Sequence, residues 1–178
     1  MEDPQVHRAR FCSRCAAALE LREVGGRPRP TCPSCGFVVY LDPKVACAAL
    51  VERGGRVLLV RRRNEPGRGL WCLPCGFADA DEPPEEATRR EAREETGLTV
   101  EVGELLGAYH YTDDPRGAGI LLVYGAQCDA GDPQAGDDAD DVGFFAPEAL
   151  PPISHHTHRR ALATWADKLS LGGRGERR

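Results

Sequence analysis

Apolar residues fall in short runs along the chain, separated by glycine, proline and charge. Each run predicts an element. Val45 to Glu52 is almost unbroken apolar sequence, the pattern of a buried strand. Gly54-Gly55 follows as a tight turn, and Arg56 to Arg62 (RVLLVRR) is the returning strand. Residues 64–70 are a loop, and Trp71 to Leu73 is a short extended segment. Pro83 and Pro84 open a helix whose body, residues 85–96 (EEATRREAREET), consists of strong helix formers. Gly97 stands where a glycine ends such a helix. Thr99 to Tyr111 reads as extended, 112–119 as a loop, and Ile120 to Gln127 as a second buried strand. An acidic loop over 129–141 leads to a last strand, Val142 to Phe145. Ser154 then caps an amphipathic helix to about Leu169, with Ala161, Leu162, Trp165 and Leu169 on its apolar face. Mixed strands with two helices predict an α/β or α+β layered fold.

The first 40 residues follow a different rule. Residues 1–10 read as a disordered lead-in and GGRGERR at the end as a mobile tail. Residues 11–36 hold four cysteines and too few large apolar side chains for a core of their own. FVVYLDPK (37–44) is expected to form a short strand running into a turn at Asp42-Pro43, which marks the module boundary. Cys12-x2-Cys15, sixteen residues, then Cys32-x2-Cys35 lets two tight turns aim four thiolates at one point. Four thiolates form the closed tetrahedral site of a structural Zn²⁺. Free thiols or a redox pair are the alternatives. A second pair, Cys72-x2-Cys75, lies in the apolar segment WCLPCGF with no further pair to complete a metal site. It reads as packed small residues, as do Cys47 and Cys128, with a redox pair as the other possibility for Cys72 and Cys75.

Composition and charge narrow the function. The 178 residues carry a net charge of −5 and only 6% aromatics. This argues against a protein that holds nucleic acid by charge or by stacked bases. The longest apolar run, Val45 to Val51, falls far short of the roughly 20 residues of a membrane span. The N-terminal MEDPQVHRAR has no apolar signal-peptide core, so the expectation is a cytoplasmic protein.

The chemistry concentrates in residues 76–98. On a helix Glu91, Glu94 and Glu95 lie at i, i+3 and i+4, on one face. Three like charges at that spacing repel unless a cation neutralises them, and hard oxygen ligands suit Mg²⁺ or Mn²⁺. Taken alone, the segment reads first as a solvated charged face, since Glu- and Arg-rich helices form i, i+4 ion pairs without a metal. The fuller spacing decides. Gly76, five residues, Glu82, seven residues, then Arg90-Glu91-Ala92-Arg93-Glu94-Glu95-Thr96-Gly97-Leu98 resembles the Nudix box of the Nudix hydrolases. Every fixed Gly, Glu and Arg position is filled; Ala92 stands where a larger aliphatic residue is usual. FCSRC, CPSCG, YLDPK and GLWCLPCGF extend the resemblance to members with an N-terminal zinc ribbon, over about residues 11–168. Their pre-box segment usually reads LPGGF or LPAGF, so Cys75 takes a small-residue position.

The resemblance implies an α/β/α sandwich with a mixed sheet over residues 43–169, behind a small zinc ribbon over 11–40. It implies hydrolysis of a nucleoside diphosphate linked to another group. Glu91 and Glu95 would be the main divalent-metal ligands, with Glu94 and the Gly76 carbonyl assisting. Arg90 would orient the glutamates and Glu82 would support the loop–helix geometry. The general base varies within the superfamily; Asp137, Asp138, Asp140, Asp141 and Glu148 are the candidates outside the box. The implied partner is a small nucleotide, and a homodimer is compatible with the family.

Substrate signals are sparser. The SQPWPFPxS-like segment of NADH pyrophosphatases is absent after the box. Pro115 follows the box after sixteen residues, a spacing that resembles ADP-ribose pyrophosphatases. ADP-ribose or a related dinucleotide (FAD, NADH) is therefore expected, with a catalytically silent nucleotide-sensing or partner-binding module as the alternative. Arg63, Arg68 and Arg116 are candidates to meet phosphates, and Tyr109 or Tyr111 to stack on a base. His155, His156 and His158 are expected to be an exposed first turn, with metal binding as the alternative.

Overall fold

The computed structural model describes residues 9–128 and 130–172. The expected lead-in (to residue 8) and tail (from 173) lie outside the described residues. The chain divides into two compact units, Met1–Pro43 and Lys44–Arg178.

The first unit contains a hairpin that the hydrophobic pattern did not announce. Strands β1 (Glu20–Val24) and β2 (Arg27–Thr31) pair antiparallel around Gly25-Gly26, both at positive φ. Its sequence hides it, because β2 reads RPRPT. Pro28 and Pro30 share one edge of β2, and the Pro30 carbonyl on that edge accepts from Val39 N–H. The missing proline donors therefore leave the pairing with β1 intact. The strand expected over 37–44 reduces to an isolated bridge between Val38 and Thr31.

The second unit is built on a mixed sheet with order β5-β4-β3-β8-β7. Its strands are β3 (Lys44–Arg53), β4 (Arg56–Arg62), β5 (Trp71–Cys72), β6 (Cys75–Phe77), β7 (Val100–Tyr111), β8 (Gly119–Cys128) and β9 (Ala139–Phe145). β3 and β8 run parallel; the other pairs are antiparallel. β6 pairs with the start of β3, and β9 pairs with β4. The last strand therefore begins three residues before the expected Val142.

Both faces of the sheet are covered. Ala48, Leu50, Val57, Leu59, Leu121 and Val123 pack with Ala161, Leu162 and Trp165 of helix α2 (His156–Gly172). Ala49, Val51, Leu58 and Ala126 point the other way and pack with Ala92 of helix α1 (Pro84–Thr96). Alternate residues of β3 thus enter opposite cores, which is why the strand is apolar without alternation. The architecture is the expected α/β/α sandwich, with the four-cysteine cluster in the N-terminal unit. Among the described residues no helix is long and apolar enough to cross a membrane.

Candidate active site and cysteine cluster

Helix α1 carries the glutamates because its two faces have opposite chemistry. Pro83 caps its start, Glu85 and Glu86 complement the N-terminal dipole, and Gly97 closes it with a hydrogen bond to the Arg93 carbonyl. Ala87, Thr88 and Ala92 are fully buried. Ala92, small where a larger side chain is usual, packs directly among Ala49, Val51 and Leu58.

Arg90 organises the polar side. Its Nε and Nη2 donate to both oxygens of Glu82 at 2.9 and 2.8 Å. Nη1 donates to Glu91 at 2.7 Å and to Glu94 at 3.2 Å, and Nη2 also donates to the Phe77 carbonyl at 3.1 Å. The planar guanidinium thus ties the pre-helix loop to two helix carboxylates. Hydrogen bonding to Arg90 holds the Glu82 carboxyl below its usual range. Burial pushes the Glu91 carboxyl up, with Arg90 opposing.

Glu95 is the deepest of the three, 7% exposed. Burial pushes its carboxyl up to about 9, with the neighbouring Cys72 adding to the rise. The Cys75 N–H donates to its Oε2 at 3.0 Å and opposes it. Such a buried carboxyl is either protonated or neutralised by a cation. A Cβ on Gly76 would overlap the Glu91 carboxylate, so only glycine lets the β6 backbone lie against it.

These groups line one cavity of about 440 Å³ with Phe77, Tyr111, Asp113, Asp114, Arg116, Asp137, Asp138, His155, Thr157 and His158. The loop bearing Asp137 and Asp138 is docked on the end of α1: Gln134 N–H donates to Thr96 O and Gly136 N–H to Glu95 O. A Cβ on Gly136 would collide with the Glu94 carbonyl, so glycine is required for that approach. Asp138 accepts from Asn64 at 2.8 Å. Asp140 and Asp141 instead pair with Arg61, and neither lines the cavity, nor does Glu148.

The other expectations divide similarly. Tyr111 and Arg116 line the cavity; Arg63, Arg68 and Tyr109 do not. Arg63 is turned onto the Ala139 carbonyl, and Tyr109 lies beneath Arg160. Arg116 is already paired bidentately with Asp114 and stacks 4.7 Å over Phe77. The histidines are not a uniformly exposed turn. His158 is 3% exposed, accepts from Leu73 N–H through Nδ1 at 3.2 Å, and is pushed down to about 3 by burial. Its ring is therefore neutral, with the proton on Nε2 facing Cys75 Sγ at 3.8 Å. His155 lines the cavity, and His156 pairs with Asp113 at 3.1 Å. Asp113, Asp114, Phe77, Arg62 and Thr157 also line it and were not singled out by sequence; TDDPRG reads only as a turn. Cys75, expected as packing, forms part of the wall.

In the first unit the four cysteine sulfurs lie within 4.8 Å of one another, with Cys12–Cys35 at 3.6 Å and Cys15–Cys32 at 3.5 Å. A tetrahedral zinc with bonds of about 2.3 Å sets sulfurs roughly 3.8 Å apart, so the cluster fits that ion. Each knuckle closes alike: Ala16 N–H donates to Cys12 O, and Gly36 N–H to Cys32 O. Arg14 N–H reaches Cys12 Sγ, and Cys35 N–H reaches Cys32 Sγ, both at 3.4 Å. That last contact holds the Cys32 thiol down, while the neighbouring thiols push Cys35 up. Among the described residues, no other three His, Cys, Asp or Glu groups meet so closely.

Two family models match the chain. The NUDIX domain family matches residues 41–166, and the zinc-ribbon family described as Nudix N-terminal matches residues 10–41. The chain is 42% identical to an ADP-ribose pyrophosphatase of Methanocaldococcus jannaschii over 119 residues, 66% of this chain and 70% of that protein. It is 37% identical to an NAD-capped RNA hydrolase, NudC, of Chromobacterium violaceum over 149 residues, 82% of this chain. The chain spans about half the length of that second relative, 53%. A crystal structure of a NUDIX hydrolase from Nitrosomonas europaea superposes with a TM-score of 0.82 at 29% identity, covering 92% of this chain and 93% of that one.

Proposed function

The chain belongs to the Nudix hydrolase family, and from that premise we infer that it cleaves the diphosphate bond of a dinucleotide-like substrate. ADP-ribose is the first choice, with FAD and NADH as related substrates, and a nucleoside monophosphate is released. The observation that carries this reading is the convergence of Glu91, Glu94, Glu95 and the Gly76 backbone on one wall of a cavity of about 440 Å³. That size suits a small ligand of several rings. The similarity to an ADP-ribose pyrophosphatase favours the same choice.

The donor set is all hard oxygen and includes a buried carboxyl that requires a countercharge, which fits Mg²⁺ or Mn²⁺. Glu91, Glu94, Glu95 and the Gly76 carbonyl would hold it. When bound, the ion neutralises the diphosphate and lowers the pKa of a water.

The remaining roles belong to the chain. Arg90 fixes the directions of Glu91 and Glu94, and Glu82 fixes Arg90. The Cys75 N–H fixes Glu95. Asp137 and Asp138, docked on the end of α1 and lining the same cavity, are the candidates that can take the proton of the attacking water. Tyr111 offers a ring to a base, and Arg62 is the cavity guanidinium without a carboxylate partner among its hydrogen bonds. The four cysteines hold a structural zinc that takes no part in the chemistry.

The test is monophosphate release from ADP-ribose, FAD, NADH, diadenosine polyphosphates and nucleoside triphosphates, each with Mg²⁺ and with a chelator. Mg²⁺-dependent conversion of ADP-ribose to AMP and ribose 5-phosphate is expected. Turnover confined to nucleoside triphosphates, or indifferent to the chelator, would overturn the reading.

A further inference from the structure

We propose that Cys72 and Cys75 are an oxidation site on the wall of the active-site cavity, closing to a disulfide that disengages Glu95. The proposal rests on reading Glu95 as a metal ligand, and its covalent half stands without that reading.

The two cysteines are placed unequally. Cys72 ends β5 and is 1% exposed. Cys75 begins β6 and forms part of the cavity wall. Cys75 packs against the small cluster of Cys72, Val60 and Ala139. Other groups surround them with donors. Arg62 Nη1 lies 4.0 Å from Cys72 Sγ, and His158 Nε2 lies 3.8 Å from Cys75 Sγ. The Leu73-Pro74 link is pinned, since Leu73 N–H donates to His158 Nδ1 and the Pro74 carbonyl accepts from Ala49 N–H. One thiol lines the cavity and the second packs behind it, so an oxidant that enters the cavity meets the pair.

The oxidant required is a peroxide. One sulfur of the pair attacks the O–O bond, giving a sulfenic acid and one water. The other sulfur then attacks it; the S–O bond breaks, and the departing hydroxide takes the remaining thiol proton as a second water. Two thiols and one hydrogen peroxide thus give one disulfide and two waters. A dithiol reverses the step by thiol–disulfide exchange.

The functional consequence follows from the backbone. Closing the bond draws two non-bonded sulfurs to about 2 Å, and that strain falls on the start of β6. The Cys75 N–H there holds Glu95, and the next residue is Gly76, lying against Glu91. Moving a hydrogen-bond donor that orients a metal ligand lowers metal affinity or turnover by roughly 10- to 100-fold.

The experiment treats the full-length, zinc-loaded protein with graded hydrogen peroxide. Cys72–Cys75 linkage is read by peptide mass mapping, zinc release by a chromogenic chelator, and Mn²⁺ binding by electron paramagnetic resonance. Turnover of the substrate identified above is followed in parallel. The expected result is a Cys72–Cys75 peptide that forms before zinc is released. A drop in Mn²⁺ affinity and turnover should accompany it, with full recovery in dithiothreitol. Cys72→Ala should keep basal turnover and remove the linked peptide together with the loss of Mn²⁺ affinity that scales with it. Absence of the linked peptide, or losses in Cys72→Ala that track zinc release from the ribbon, would overturn the proposal. So would a linked protein with unchanged Mn²⁺ affinity. Mn²⁺ binding does not depend on which nucleotide is cleaved, so a failed substrate assignment leaves this test decisive.

Discussion

Replacing Glu95 by Gln should abolish Mg²⁺-dependent turnover and, in buffer without added divalent ions, make the protein more stable. The second effect follows from burial. Glu95 has its carboxyl pushed from the ordinary 4.5 up to about 9. In the unfolded chain at pH 7 the group is ionised, whereas in the folded protein it is held neutral. The folded state therefore binds more protons, and stability falls as pH rises between the two values. At about 1.4 kcal/mol per pH unit, the penalty at pH 7 is about 3 kcal/mol. Gln has the shape of the neutral acid and keeps the acceptor for Cys75 N–H. Its extra buried N–H returns about 1 kcal/mol of that gain. The net gain is about 2 kcal/mol, or roughly 5 °C in melting temperature for a unit of this size. The assay is thermal unfolding of zinc-loaded wild type and Glu95→Gln from pH 4 to pH 9. The gap should be smallest near pH 4.5, widen through neutrality and level off near pH 9. Saturating Mg²⁺ should raise the wild type more than the variant, which keeps Glu91 and Glu94 and lacks one carboxylate of the proposed ligand set. A variant less stable than wild type at pH 7, or a gap that ignores pH, would refute the reasoning.

Other substitutions probe the same arrangement. Gly76→Ala places a Cβ into the Glu91 carboxylate and should lower turnover about 100-fold with the circular dichroism spectrum unchanged. Arg90→Ala strands Glu82, Glu91 and Glu94, and should cost about 1–3 kcal/mol in urea unfolding as well as most of the activity. Cys32→Ser should eliminate bound zinc and expose residues 9–43 to limited proteolysis, while turnover per folded molecule stays within about twofold of wild type. Loss of turnover in the folded variant would contradict the separation of the two metal roles.

What the sequence determined by itself are the features that repeat or are spaced along the chain. The helix of residues 84–96 is legible because its glutamates, its opening prolines and Gly97 all act within one or two turns. The cysteine knuckles are legible because a CxxC turn is local and two of them complete a tetrahedron. The strands of both cores are legible as apolar runs, since residues facing α1 and α2 alternate through β3. The hairpin of β1 and β2 is not, because RPRPT carries no apolar period and its tolerance of proline depends on which edge faces β1. Nor is the far wall of the cavity. Asp137 and Asp138 reach the glutamates only because Gly136 lets a loop dock on the end of α1, a contact between segments some 40 residues apart. His158 looks like an exposed first turn until the Leu73 N–H claims its Nδ1 and buries it beside Cys75. Spacing along a chain records which groups one helix or turn can present together. Which groups of distant segments face them, and how deeply water is excluded between them, is decided only when the sheet and its two helical layers close.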